Sequence, residues 1–209
     1  GVDEVLSGAV PLSDLPCDEQ GLCLIAAPRR LEQSETIVHE LPALLDSAMA
    51  HFDAIVANTG ANWGEQHAVL LERSSRALFL VDQRASSLRA CKHAVELCAR
   101  CGIAASPFLF VANRCSKRSL FSSIDVSCAM QGAHAAELKD GGVEVEQALG
   151  TGLAYDLVSS RNAFAQSVRD LMGEVVGEAA GSLASSEESE APSRGLFSFR
   201  RARREGVLP

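Results

Sequence analysis

The stretch FDAIVANTGANWGEQHAVLLERSSRALFLVDQ, residues 52–83, decides how the chain is read. Residues 53–58 form an apolar run that ends in Asn58-Thr59-Gly60. One helix length of chain follows, over 65–73, and then a second apolar run, 77–82, ending in Asp82. A buried strand, a helix and another buried strand make one unit of a parallel sheet, since parallel neighbours need a crossover between them. A strand tip that opens into a Gly-containing turn is where such sheets hold phosphates and metals.

Working outward, the same alternation continues on both sides. Residues 22–27, LCLIAA, read as a strand closed by Pro28. Leu41, Leu44, Leu45, Ala48 and Met49 recur at helical spacing, which places a helix start near Glu40 so that Pro42 falls in its first turn. From Ser86, Leu88, Cys91, Val95 and Cys98 line one helical face, with Gly102 as the stop. Residues 107–112, PFLFVA, form the next strand and end in Asn113-Arg114. A short helix from Asp125, a strand over 134–138, a helix over 143–149 and a long helix over 162–179 complete the body. The expected fold class is α/β: a doubly wound, mostly parallel sheet with helices on both faces.

Composition agrees. The 209 residues are 47% hydrophobic but only 5% aromatic, which suits small-residue helix-on-sheet packing. A net charge of −8 argues against nucleic acid as a partner, so affinity for anionic surfaces must come from a local patch. The seven cysteines lie scattered in apolar runs, without the density of a disulfide scaffold, and are read as reduced core residues. Cys98 and Cys101 form a CxxC on a helix, with no second pair to complete a zinc set. His39, His51, His67, His93 and His134 are dispersed and are read as surface or packing residues.

Composition changes beyond residue 180. Residues 181–193 are rich in Ser, Glu and Pro and predict a disordered linker. Residues 194–209 set Leu196, Phe197 and Phe199 among Arg194, Arg200, Arg201, Arg203 and Arg204, a basic and aromatic tail suited to a membrane surface.

Three tips of the expected sheet carry polar residues that a core does not need: Asn58-Thr59-Gly60, Asp82-Gln83-Arg84 and Asn113-Arg114. In this order and spacing the chain resembles the MinD/ParA superfamily of P-loop ATPases. FDAIVANTGANW is similar to the family's Walker B and switch segment, and PFLFVANRCS to the strand whose terminal Asn-Arg faces adenine. The region from IDVSCAMQGAHAAEL to FAQSVRDLMGEVV is closest to the CpaE/TadZ branch, which helps position Flp (Tad) pilus assembly. The resemblance covers residues 1 to about 180.

It implies nucleotide binding through Asn58, Thr59, Gly60, Asn113 and Arg114, with ATP and Mg as cofactors of a longer protein. It implies membrane contact through Leu196, Phe197, Phe199, Arg200 and Arg201. Further implications are a homodimer, pilus-assembly or cell-division proteins as partners, and a cytoplasmic location at the inner face of the plasma membrane.

Two departures limit it. No Gly-rich loop with its Lys occurs here, which makes the chain an expected fragment whose first strand lies upstream; 53–58 and 77–82 should then stand apart, without direct pairing. Asn58 also stands where the family has Asp, so hydrolysis loses its metal-side carboxylate. The leading function is a CpaE/TadZ-like localisation factor that holds ATP weakly or as a clamp. The alternatives are an active MinD/ParA-like ATPase positioning septum or chromosome, and a plain α/β binding domain.

Overall fold

The computed structural model describes residues 1–28, 30–60 and 63–187. In chain order the elements are α1 (Val2–Leu6), α2 (Ser34–Met49), α3 (Glu65–Arg73), β1 (Ala77–Val81), α4 (Ala85–Arg100) and β2 (Phe108–Cys115). After them come α5 (Ser123–Ala129), β3 (Ala135–Lys139), α6 (Gly142–Gly150), α7 (Ala154–Val158) and α8 (Ala163–Glu187).

The three strands form one parallel sheet in the order β1-β2-β3. Side chains alternate along β2. Phe110 and Ala112 face α4 and α5, where Cys91, Val126 and Met130 pack with Val81; Leu109 and Val111 face the opposite way, against Leu138 and the α8 residues Phe164, Val168 and Leu171. Helices therefore cover both faces of β2, and its run of apolar residues is the signature of a strand with no solvent side. The end of β3 is pinned to α8 where the Lys139 N–H donates to the Ser167 hydroxyl at 3.0 Å, and that buried hydroxyl donates to the Phe164 carbonyl at 2.8 Å.

Several expectations are corrected. Residues 53–58 form no strand: they make no ladder with any described segment, and Val56 is 90% exposed, though the absence of direct pairing with β1 is as expected. An apolar run becomes a strand only where a neighbour takes up its backbone groups, and none of the described strands lies beside this one. Residues 22–27 likewise contribute only a single bridge, Cys17 to Cys23. Those two cysteines form a disulfide, so the reading of all seven as reduced fails there. The cause is a turn: the Asp18 carboxylate accepts from the N–H groups of Gln20 and Leu22, both at 2.9 Å, and Gly21 adopts φ +85°, which folds Cys23 back onto Cys17.

The helix α2 begins at Ser34 rather than near Glu40, so Pro42 sits inside it. The helix α8 runs on to Glu187, into the segment expected to be a linker. The rest of that linker, from 188, and the tail 194–209 lie outside the described residues. Among the CxxC residues, Cys98 is buried and Cys101 exposed at the end of α4. No helix among the described residues is long and apolar enough to cross a membrane.

Candidate functional site

The C-terminal ends of the strands lie along one edge of the sheet, and two of them are tied together by a single side chain. Gln83, just past β1, donates through Nε2 to the carbonyls of Asn113 (2.8 Å) and Phe121 (3.1 Å), while its Oε1 accepts from the Phe121 N–H at 2.8 Å. Both ends of the amide are used, which fixes its orientation. It holds the end of β2 and the chain entering α5 against the tip of β1.

At that point β2 is irregular. Ala112 pairs with Glu137 and Cys115 with Lys139, so Asn113 and Arg114 together oppose only Leu138. This is a β-bulge, and Arg114 carries the left-handed backbone that goes with it, φ 54°. The sequence ends this strand at Ala112; the strand in fact resumes after the bulge and closes with buried Cys115. Bulges recur beside binding sites because they re-aim side chains. Here the aimed pair is the expected adenine reader, with Asn113 half-buried and Arg114 exposed toward Glu146 on α6, 4.0 Å away.

Asn58, Thr59 and Gly60 are exposed in the unpaired segment. What anchors them is a residue the sequence does not single out. Buried His67, on α3, accepts from the Gly64 N–H through Nδ1 at 3.2 Å, which leaves the proton on Nε2 to be donated to the Gly60 carbonyl at 3.0 Å. Trp63 stacks on the His67 ring with centroids 4.9 Å apart and on Phe79 of β1 at 6.1 Å. Phe79 in turn meets Phe108 and Phe110. A chain of rings thus connects the Asn58–Gly60 tip to the sheet. The signal was in the sequence: Trp63 and His67 are spaced four apart at a helix start. Among the described residues no hydrogen bond joins Asn58, Thr59 or Gly60 to Asn113 or Arg114.

The third strand contributes a charged corner. The Glu137 carboxylate accepts from the N–H and hydroxyl of Ser123 at 3.0 and 3.1 Å and from the Lys139 ammonium at 2.6 Å. The Lys139 bond, followed by the Ser123 N–H, holds the Glu137 carboxyl below the ordinary glutamate value, and Glu137 holds Lys139 above its own. A depressed carboxyl stabilises the fold when ionised, so this contribution is complete above the ordinary value and fades as the pH drops through the lowered one. Glu137→Gln is expected to cost about 1 kcal/mol at neutral pH, modest because solvent reaches the pair, and less at an acid pH below the lowered value. Urea unfolding of both proteins at the two pH values checks this; an equal loss at both would place the effect in packing.

Asn113 offers a side-chain amide that can donate and accept. Asn58 is uncharged, Asp82 is engaged with Arg84 at 3.6 Å, and no group of three or more His, Cys, Asp or Glu among the described residues could hold a metal ion. The expected membrane residues Leu196, Phe197, Phe199, Arg200 and Arg201 lie outside the described residues.

No family model matches the chain, and no curated protein matches it. Solved structures do. The chain superposes on a ParA-family ATPase from Chlorobium tepidum TLS with a TM-score of 0.67 at 18% identity, covering 76% of this chain and 67% of that one. It superposes on the MinD cell division protein of Aquifex aeolicus with a TM-score of 0.55 at 20% identity, over 81% and 73% of the two chains. The MinC:MinD complex of the same organism gives 0.56 at 21%, over 82% and 72%. With its parallel sheet, its two helical layers and these neighbours, the chain has the α/β fold of the ParA and MinD ATPases.

Proposed function

We propose that this protein is a CpaE/TadZ-like localisation factor for Flp (Tad) pilus assembly, built on an ATPase fold and using nucleotide as a clamp rather than a fuel. The observation that carries the reading is the pairing of an aimed adenine-side tip with an uncharged phosphate-side tip. The bulge at Asn113-Arg114, braced by Gln83, is kept in a form suited to a base. Asn58, in the position where the resembling family has a metal-side Asp, brings no charge to a cation. Recognition without turnover is the chemistry such a site supports. Thr59, Gly60 and Arg114 complete the nucleotide contacts in this reading, with ATP and Mg taken up where a phosphate-binding loop is also present.

The tail provides the second half of the proposal. Leu196, Phe197 and Phe199 enter the headgroup boundary of an anionic membrane while Arg200 and Arg201 meet its charge, each arginine contributing about 1 kcal/mol. The protein then sits as a homodimer at the inner face of the plasma membrane and recruits pilus-assembly proteins. The MinC:MinD complex, in which a protein of this fold binds another, supports a recruiting role. The second reading, an active MinD/ParA-like ATPase, rests on the same fold.

Deleting the gene in its own host separates the two. Loss of Flp pili with normal septa and normal chromosome inheritance is expected. Misplaced septa or lost chromosomes, with pili intact, would move the protein to the second reading.

A further inference from the structure

The helices α6 and α7 form a hairpin that the rest of the molecule covers on one side only. Gly152, at φ +76°, lets the chain reverse between them, and the Leu153 N–H returns to the Ala148 carbonyl at 2.8 Å. Val145 and Leu157 are buried beneath the hairpin, but Val143, Leu149, Leu153 and Val158 are each more than half exposed. A shallow groove runs between the helices, lined by Glu144, Gln147, Ala148, Leu153, Asp156 and Leu157. Its lining carries Glu144 and Asp156 and no cation, and residues 140–160 add Asp140 and Glu146 with neither Lys nor Arg, while Arg169 of α8 caps one end at the Val158 and Ser160 carbonyls. Among the described residues the Glu144 carboxylate accepts from the neutral amide of Asn162 at 2.7 Å, and Glu146 faces the exposed Arg114 at 4.0 Å. An acidic apolar groove on a helical hairpin fits a segment that is basic and apolar in the same few residues.

The chain contains such a segment. Residues 194–204, RGLFSFRRARR, hold five arginines, no acid, and Leu196, Phe197 and Phe199. We infer that the α6–α7 hairpin is the docking site for this tail, delivered by a second copy of the chain. The choice of a second copy follows from reach. The first turns of α8 are fixed to the hairpin, where Asn162 Nδ2 donates to Glu144 and Arg169 Nη2 donates to the Ser160 carbonyl at 3.1 Å. The 25 residues of α8 then carry the chain about 37 Å away. Phe197 lies ten residues past Glu187, which is at most about 33 to 36 Å of fully extended chain. Returning to its own hairpin would need every one of those residues stretched along the helix, whereas the tail of a partner has no such constraint. In a symmetric pair the two dockings are reciprocal, so each strengthens the other. The same apolar residues are then withdrawn from lipid, so any one tail is either docked or in the membrane. The docking goes beyond the localisation reading and does not depend on it.

Backbone amide NMR spectra of the full chain, residues 1–209, test this. Against wild type, the double variant Phe197→Glu/Phe199→Glu is expected to shift the amides of Ala148, Leu153 and Leu157, and wild type on dilution is expected to shift the same amides toward the variant's positions. Sedimentation should show self-association weakened about tenfold or more. The surface variant Glu144→Lys/Glu146→Lys should weaken it similarly, and adding Arg200→Glu/Arg201→Glu should restore it. Vesicles containing phosphatidylserine should move the hairpin amides to the variant's positions by drawing the tail away. Unchanged hairpin amides in the Phe variant would overturn the proposal, as would shifts independent of dilution, or vesicle binding that leaves the hairpin amides in place. Vesicles that fail to bind while the amides respond to dilution and charge reversal would remove the membrane reading and uphold the docking.

Discussion

Replacing His67 with alanine is expected to destabilise the protein by about 3 kcal/mol, within the range for losing a large buried side chain. Three contacts disappear together: the bond to the Gly60 carbonyl, the bond from the Gly64 N–H, and the face on which Trp63 stacks. His67→Phe separates them, since it keeps the stack and removes both hydrogen bonds. It should recover roughly half of the loss, as an aromatic pair contributes about 0.5–1.5 kcal/mol beyond its burial. Trp63 is the only tryptophan in the chain, so its fluorescence reports on this place alone. A red-shifted emission is expected in His67→Ala and an almost native one in His67→Phe. Wild-type stability and emission in His67→Ala would show that the loop after Asn58 holds itself.

Gln83→Ala should be nearly as costly, about 2–4 kcal/mol. The Asn113 and Phe121 carbonyls and the Phe121 N–H all lose the amide that serves them. Leaving a buried polar group without a partner costs about 1–3 kcal/mol, and these groups are partly buried, so water recovers some of that. Gln83→Glu should be no better, because it sets a carboxylate oxygen where an N–H faces two carbonyls. Urea unfolding measures the first effect, and faster hydrogen exchange at the Phe121 amide localises it. A change below about 0.5 kcal/mol would mean that the bulge is held by the β3 ladder alone.

The three strands of the sheet were legible because β1, β2 and β3 each carry their pattern within themselves and find neighbours within the chain. Residues 53–58 and 22–27 carry a similar apolar pattern and still form no ladder, because pairing is a property of two segments and a single-segment pattern cannot supply the second. The helix α3 was read with its bounds correct, from Glu65 to Arg73. The start of α2 was misplaced because the proline rule was applied to Pro42 as a boundary, while the surrounding helix accommodates it. At the site, Asn113-Arg114 was found as a strand tip. The bulge that aims it was hidden, since an extra residue in one strand is visible only against its partner. Gln83 was named within a tip tripeptide, but its bracing role depends on Phe121, 38 residues further on. His67 was passed over as one of five dispersed histidines, although its spacing from Trp63 was visible.

The strand order β1-β2-β3 repeats the order of synthesis. Among the described strands each is laid beside the one made just before it, between Ala77 and Lys139. The contacts among these three strands are short in sequence, a feature associated with rapid folding. As the chain leaves the ribosome, β2 can gain β1 and α4 first and β3 and α5 next. The helices α6, α7 and α8 come afterwards, and α8 is the layer that closes over Leu109 and Val111.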